Sequence, residues 1–137
     1  FKILEDYVRI NSLSKRVTLH GAIYEDEVKS KIFDRSLLVL SPFQSGLGVL
    51  ESFGYGLPFV TFNNSFTGGE RFNIRHGETG LLYDSSNSSL DDIFNDILSR
   101  NHDYLEMGRN AKKWYDTNRR PEQMAQSIYE AISSTAE

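Results

Sequence analysis

The sequence predicts an α/β fold in which a Rossmann-like parallel sheet is flanked by helices. Residues 37–40 form an uninterrupted apolar run, which is typical of a strand buried on both faces. Strand and helix patterns alternate from Val17 to Phe62, as they do where parallel strands are joined by crossover helices. After Tyr83, three helical patterns follow one another without a further strand pattern.

The first third of the chain predicts helix, strand, helix and strand in that order. An apolar helical stripe opens the chain at Ile3, Leu4, Tyr7, Val8 and Ile10. The chain starts at Phe1 within this stripe, so we expect it to be part of a longer protein. Residues 17–19 favour a strand that stops at Gly21. A one-sided apolar pattern predicts a helix over 25–34, and the strand at 37–40 follows.

The middle of the chain predicts a helix and two strands. Apolar residues recur at helical spacing over 47–55, and Gly56 ends that helix. Strands are predicted at 59–62 and 80–83, with a polar loop at 63–69 after the first of them.

The last third predicts three helices. Ser89 can cap the first of them together with Asp92, three residues further on. The second helix is predicted over 104–115. Pro121 suits the first position of the third helix. The apolar stripe of that helix consists of Met124, Ile128, Ala131 and Ile132.

Composition narrows the function classes. With 137 residues and 39% hydrophobic content, the chain is long enough for one compact domain, which we predict over 1–137. No stretch approaches the roughly 20 apolar residues that cross a bilayer. The absence of cysteine excludes disulfides and thiolate metal sites, and cytoplasmic localisation is the default expectation. Acidic and basic residues are interspersed at a net charge of -4, so nucleic acid is not an expected partner.

The bend at 41–48 is the strongest candidate for a ligand-binding site in this sequence. It leads from the carboxyl end of a predicted strand into a helix, which is where open α/β sheets bind ligands. Gly46 and Gly48 allow backbone N–H groups to approach a phosphate closely. A tight turn without ligand would need the same glycines, so both interpretations stay open at this point.

Glu51 lies in the first turn of the helix that follows the bend. It falls on or near the apolar stripe of Leu47 and Leu50, where a carboxylate is unfavourable unless it has partners. A ribose diol is a suitable partner for an acceptor-only group. The alternatives are a glutamate stabilised by the start of the helix or one that is simply solvated.

Three spaced motifs carry a resemblance to a known family. They are ESFGYGLPFV at 51–60, GGE at 68–70 and HGETGLL at 76–82. In this order they resemble the family patterns Glu-Ala-x-x-x-Gly-x-Pro-Val, Gly-Gly-x-x-Glu and Asp-Gly-x-x-Gly-x-Leu. Residues 17–83 are thus similar to the donor-binding domain of retaining GT-B glycosyltransferases, called group 1 or family 4.

The resemblance implies a site for a nucleotide-sugar donor, with Glu51 on the ribose and the catalytic residues unknown. The implied donor-binding residues are Gly21, Ala22, Gln44, Ser45, Gly46, Leu47, Gly48, Val49, Leu50, Glu51, Gly68 and Gly69. No cofactor and no metal are expected, because the nucleotide-sugar is itself the substrate. His20, His76 and His102 show no metal-ligand spacing.

The resemblance also implies that donor and acceptor bind on different domains of a longer enzyme. The acceptor would bind on an amino-terminal domain absent from this chain, so we expect residues 1–137 to fold but not to transfer sugar alone. Polysaccharide biosynthesis and peripheral membrane association of the full-length enzyme are implied in the same way. A sugar-nucleotide epimerase of the same architecture and a non-catalytic nucleotide-sugar-binding domain remain the alternatives.

The main departure from the family lies at Phe43, where the family places its first glutamate, a contact of the donor sugar. Gln44 beside it can offer an amide to a sugar hydroxyl, or it is an ordinary surface residue. The basic pair that holds the family's diphosphate has no match in this chain. Arg71 and Arg75 are the arginines nearest the predicted site, and Glu70 before them either caps a turn or contacts the donor.

Overall fold

A computed structural model describes residues 1–99 and 102–134 of the chain. Contacts divide the chain into two compact units, 1–32 and 33–137. The predicted single domain also includes residues 100, 101 and 135–137, which lie outside the described residues.

The described residues contain six α-helices, one 3₁₀ turn and three strands. The helices are α1 (Lys2–Ile10), α2 (Asp26–Phe33), α3 (Gly48–Gly54), α4 (Leu90–Ser99), α5 (Tyr104–Asn118) and α6 (Pro121–Ser134). The strands are β1 (Val39–Leu40), β2 (Phe59–Phe62) and β3 (Gly80–Tyr83), and the 3₁₀ turn is Glu70–Asn73.

The first unit contains α1 and most of α2. The predicted helix at the start of the chain is confirmed as α1, although it buries no residue and leaves Ile3 84% exposed. The strand predicted at 17–19 is wrong, since these residues adopt no strand. A strand is held by ladder hydrogen bonds to a neighbour, and within the described residues no partner pairs with this segment.

The second unit is built on a parallel sheet with the strand order β1, β2, β3. Pairing begins where Val39 lies opposite Phe59, and β2 pairs with β3 along its whole length. The strand predicted at 37–40 is therefore shorter than expected, and Leu37 outside the ladder is 47% exposed. The strand that is buried along its whole length is β2.

Both faces of the sheet are covered, as the buried central strand requires. Val60 and Phe62 pack on one side with residues of α4 and α5. Phe59 packs on the other side with Val49 and Phe53 of α3. Alternate residues of β2 thus belong to two separate hydrophobic clusters, and α3 packs directly against the sheet.

Close backbone packing fixes α5 against the turn between α3 and β2. A Cβ added at Gly108 would stand 2.2 Å from the carbonyl oxygen of Gly56. No side chain fits into that distance, so only glycine allows this approach of the two backbones. Gly56 itself has a φ of 73°, a left-handed conformation that suits glycine at the end of α3.

The helix starts predicted from sequence are confirmed. The Ser89 N–H donates to Asp92 Oδ2 at 2.8 Å, and the Asp92 N–H donates to Ser89 Oγ at 3.2 Å. This reciprocal pair caps α4. Pro121 is the first residue of α6, where its missing N–H leaves no helical hydrogen bond unmade.

A polar cluster joins β3 to α4 and to His102, two residues before α5. The Tyr83 hydroxyl donates to a carboxylate oxygen of Asp96, which also lies 3.1 Å from His102 Nε2. Burial, together with the hydrogen bond to Asp96, raises the pKa of Tyr83 above its ordinary value. The cluster stabilises the fold, because it connects β3, α4 and the segment that leads into α5.

Candidate functional site

Two loops at the carboxyl end of the sheet are bound to each other. The bend at 41–48 follows β1, and the loop at 63–69 follows β2. Phe66 lies opposite Gln44 in a parallel bridge. The Ser45 N–H donates to the Phe66 carbonyl, and the Phe66 N–H donates to the Phe43 carbonyl, both at 2.9 Å. The two loops therefore form one continuous rim.

Side-chain hydroxyl groups reinforce this rim from inside. Ser45 is fully buried, and its hydroxyl lies 2.6 Å from that of Ser65. The Thr67 hydroxyl donates to the Ser45 carbonyl at 2.9 Å and accepts the Gly69 N–H at 3.0 Å. Buried hydroxyl groups need such partners, so these contacts hold the two loops in register.

A cavity of about 280 Å³ opens beside the bend. Its lining residues are Val39, Ser41, Gln44, Gly46, Leu47, Gly48 and Phe59. Four predicted donor-binding residues therefore lie together at the carboxyl end of β1, namely Gln44, Gly46, Leu47 and Gly48. Phe59 shares the cavity from the neighbouring strand.

The bend exposes hydrogen-bond donors of the main chain. The N–H groups of Gly46, Leu47 and Gly48 donate to no acceptor within the described residues. Successive free N–H groups of this kind are typical of anion-binding concavities. The site has this property through its backbone, and it does not depend on a charged side chain.

Two other predicted residues, Ser45 and Val49, are fully buried. The hydroxyl of Ser45 is used by Ser65, and Val49 belongs to the core beneath the sheet. Any contact that they make with a ligand is therefore through the backbone. Leu50 is half-buried on α3.

Glu51 is exposed on α3 and does not line the cavity. The argument that it lies on an apolar stripe is wrong, because Leu47 is 75% exposed. The face of α3 that packs on the sheet carries Val49, Ser52 and Phe53 instead. Burial therefore does not force Glu51 to find a ligand, and its assignment to the ribose depends on the family resemblance.

The glycines predicted after β2 shape the turn beyond the rim. Gly69 has a φ of 120°, which an L-residue with a side chain rarely adopts. A Cβ at Gly68 would stand 3.2 Å from a carboxylate oxygen of Glu70. Glu70 thus folds back over this turn, with Thr67 Oγ1 at 3.5 Å, and neither glycine lines the cavity.

Gly21 and Ala22, the remaining predicted residues, belong to the first unit. Gly21 has a φ of 69°, and a Cβ there would meet the Phe1 ring at 3.8 Å. The left-handed backbone gives a structural reason for glycine at this position.

The two arginines nearest the predicted site contact aromatic rings. The Arg75 guanidinium lies 4.2 Å from the Trp114 ring centroid and pairs with Glu78 at 3.0 Å. The Arg71 guanidinium lies 5.0 Å from the ring centroid of Phe72. Neither arginine lines the cavity beside the bend.

A larger cavity of about 600 Å³ lies at the opposite end of the sheet. It is bounded by Leu37 and Leu57, which precede β1 and β2, and by residues of α5 including Leu105 and Lys112. Size alone would favour it, but ligands of open α/β sheets bind outside the carboxyl ends of the strands. The bend with its free N–H groups is therefore the better candidate.

Metal ligation and membrane insertion have no visible basis in the part of the chain that the structure describes. No group of three or more His, Asp or Glu side chains is placed to hold a metal ion there. None of the helices in 1–99 and 102–134 has the length and apolar character needed to cross a bilayer.

Comparison with known proteins identifies the family. The glycosyl transferases group 1 family matches residues 2–114, which is most of the chain. The chain belongs to this glycosyltransferase family. No curated protein matches it significantly.

Solved glycosyltransferase structures share the fold, which confirms the predicted α/β class. HepE of Anabaena, solved in complex with UDP, is 22% identical with a TM-score of 0.72, and the match covers 97% of this chain. Sucrose-phosphate synthase of Thermosynechococcus elongatus is also 22% identical, with a TM-score of 0.73 and the same coverage. The chain spans only 36% and 34% of those two proteins, about a third of each.

The sequence did not indicate the role of three residues in the loop after β2. Ser65, Phe66 and Thr67 hold or extend the rim, although none was a predicted site residue. One signal was present in the sequence, since Phe66 is a large apolar residue within an otherwise polar loop.

Proposed function

We propose that the cavity beside the bend binds the diphosphate of a nucleotide-sugar donor. The full-length protein then transfers the sugar to an acceptor. The observation that carries this proposal is the row of free N–H groups at Gly46, Leu47 and Gly48, three residues that line the cavity. Oxyanions accept hydrogen bonds from such rows, and a diphosphate offers several oxygens.

Membership of the group 1 family supports sugar transfer as the reaction class. HepE, which has the same fold, was solved with UDP bound, and UDP is the nucleoside diphosphate that remains when a UDP-sugar has given up its sugar. These likenesses favour a nucleoside diphosphate over other anions as the ligand of the bend.

The glycine at position 46 also supports ligand binding. A Cβ there would meet no atom within 4 Å, and its φ is not in the left-handed region. Folding therefore gives no reason for glycine at this position. A ligand that approaches the main chain does, because a side chain would occupy the space in front of the N–H groups.

Glu51 is the proposed partner of the ribose diol. Its exposed position on α3 leaves the residue accessible to a ligand from solvent. A carboxylate accepts hydrogen bonds from two adjacent hydroxyl groups, and one helical turn separates Glu51 from the free N–H group of Leu47.

The chemistry proposed for the bend is stabilisation of the leaving group. As the bond between sugar and diphosphate breaks, negative charge grows on the diphosphate oxygens. Fixed N–H donors stabilise that charge without reorganising during the reaction. The oxygen of the acceptor hydroxyl forms the new bond to the sugar, and its proton passes to the departing diphosphate. We place the acceptor's binding site on the remainder of the full-length protein.

Calorimetric titration of the full-length protein with UDP, GDP and their sugars tests the proposal. We expect one nucleoside diphosphate to bind and Glu51→Ala to weaken its binding about tenfold or more, the loss of one charge-assisted contact. Glu122→Ala, at an exposed position on α6, is the matched control and should change nothing. Absence of binding to every nucleoside diphosphate would contradict the proposal.

Product analysis then separates the reaction classes. A glycosylated acceptor supports transfer, whereas an epimerised donor without transfer would indicate the epimerase alternative. Binding without turnover in the presence of candidate acceptors would indicate a binding domain.

A further inference from the structure

The larger cavity lies at the opposite end of the sheet from the bend. Its volume of about 600 Å³ falls within the range of roughly 300–1,000 Å³ that is usual for small-molecule sites. Leu37 and Leu57, which precede β1 and β2, line one side, and α5 lines the other. Among the described residues, none lines both this cavity and the one beside the bend. A ligand bound here would therefore leave the proposed donor site open.

The apolar part of the cavity is formed by aliphatic side chains. Leu105 is 68% exposed and Leu37 is 47% exposed, so both offer free apolar surface, whereas Tyr104 beside them is only 4% exposed. Planar ring systems gain most from an exposed aromatic face, which this cavity lacks in the described residues. An alkyl chain fits leucine walls, and its contact with them is favourable because both surfaces leave water.

The rim of the cavity is basic. Arg109, Lys112 and Lys113 line it, and Asp116 is the acidic lining residue in the described chain. The carboxylate of Asp116 is already shared, because its Oδ1 lies 3.1 Å from Lys112 Nζ and 2.9 Å from Arg120 Nη2. The Lys113 side chain makes no ion pair and no hydrogen bond within the described residues. Its uncompensated charge favours an anion.

Lys113 also connects this cavity to a polar one. Arg109 pairs with Glu106 at 2.7 Å, so Lys113 is the lining cation that remains for a ligand in the described chain. A neighbouring cavity of about 310 Å³ shares Lys113 and Thr117 with the first and is also lined by Asn110. Asn110 and Lys113 stand three residues apart on one face of α5. The side-chain amide of Asn110 makes no hydrogen bond in the part of the chain that the structure describes.

We propose that these two adjoining cavities bind a single-chain amphiphile with an anionic head. The alkyl chain lies against Leu37 and Leu105, and the head accepts hydrogen bonds from Lys113 and Asn110. The head is a carboxylate or a phosphate, which present the same kind of acceptor oxygen. This site is additional to the proposed donor site and does not rest on it.

The two parts of the site contribute differently to binding. An ion pair at an exposed lysine contributes little affinity and is screened by salt. We therefore expect the alkyl chain to supply most of the affinity, while Lys113 selects the sign of the head group.

Calorimetric titration of the full-length protein with monomeric decanoate, decyl phosphate and decyltrimethylammonium tests the proposal. The three probes have the same alkyl chain, and only the first two carry an anionic head. We expect an anionic probe to bind about fivefold or more tightly than the cationic one, and this preference should shrink at high salt. The tighter of the two anionic probes identifies the head group. Phosphatidylglycerol vesicles, added in a parallel titration, distinguish a cavity from a membrane-binding surface.

Two variants separate the contributions of chain and head. Leu105→Ala should weaken decanoate binding about fivefold to tenfold at any salt concentration, because it removes apolar wall. Lys113→Glu should weaken decanoate binding about fivefold or more at low salt and abolish the preference for anions. The matched controls are Leu98→Ala, at an exposed leucine of α4, and Lys15→Glu, at an exposed lysine of the first unit. Neither control should change binding of the amphiphile.

The site is overturned if none of the monomeric amphiphiles binds, if the cationic probe binds as tightly as the anionic ones, or if both variants keep the wild-type affinity. Binding to vesicles alone would also overturn it. Gly46→Ala should leave decanoate affinity unchanged, and a loss in this variant would indicate that the amphiphile binds at the bend instead. Leu105 and Lys113 are exposed, so circular dichroism should show that both variants fold.

Discussion

The hydroxyl groups of Ser45 and Ser65 lie 2.6 Å apart in the buried rim of the site. The pair joins the bend after β1 to the loop after β2, and neither loop has another buried hydroxyl pair of this kind in the described residues. The geometry of the proposed donor site therefore depends on a contact that touches no ligand.

Removing one hydroxyl should destabilise the fold. Ser45→Ala leaves the Ser65 hydroxyl buried without its partner, which lowers the free energy of unfolding by about 1–3 kcal/mol. The double variant Ser45→Ala with Ser65→Ala should lose less than the sum of the single losses. Urea unfolding measures all three. Ser85→Ala, at an exposed position, serves as the control, and strictly additive losses would argue against the hydrogen bond.

Gly46→Ala should separate folding from binding. The added methyl group meets no atom within 4 Å, so stability should stay the same or rise by about 0.4–1 kcal/mol. The proposed diphosphate approaches the main chain at Gly46 closely, so the same methyl group should hinder it, and donor affinity should fall about tenfold or more. Thermal unfolding and calorimetry together check the result. Unchanged donor affinity would indicate that the diphosphate does not bind at this bend.

Gly108→Ala should have the opposite effect. Its Cβ would lie 2.2 Å from the Gly56 carbonyl oxygen, so α5 must shift away from the turn after α3. We expect a loss of about 1–3 kcal/mol or more in the free energy of unfolding, measured with urea. Gly46→Ala is the matched control for the same substitution in open space. Equal stability of the two variants would refute the close approach.

The capping pair of α4 should contribute to stability in a pH-dependent manner. Hydrogen bonds from the Ser89 N–H and hydroxyl lower the pKa of Asp92 below its ordinary value. A lowered pKa in the folded state adds stability above the unfolded pKa of about 3.9 and loses it as the pH falls through the folded pKa.

Asp92→Asn tests this dependence. The difference in unfolding free energy between wild type and variant should be constant near neutral pH and should shrink as the pH falls below about 4. Asp91→Asn is the control, because Asp91 lies on the same turn and takes no part in the cap. A difference that does not vary with pH would contradict the carboxylate's role.

Most elements of the second unit could be predicted because their signals are local. The spacing of apolar residues indicates α3, α4 and α5, and Ser89 with Asp92 marks where α4 begins. A strand differs, since it exists only with a neighbour. Residues 59–62 have neighbours on both sides and form β2, whereas 17–19, with equally favourable residues, pair with nothing in the described chain.

The site was predicted only in part for the same reason. Two glycines in a bend after a strand are a local signal, and Gly46 and Gly48 do line the cavity. The interpretation of Glu51 as a carboxylate on an apolar stripe failed, because which face of α3 packs on the sheet depends on Phe59 and not on α3 alone.

The amino-acid sequence by itself determined the order of elements in the second unit, the bend that follows β1 and the family to which the chain belongs. Only the tertiary structure decided that Ser45 bonds to Ser65 and that Gln44 stands beside Phe66. These partners are about 20 residues apart in the chain. Pairing over that distance is set by the register of β1 on β2, which no local pattern of residues encodes.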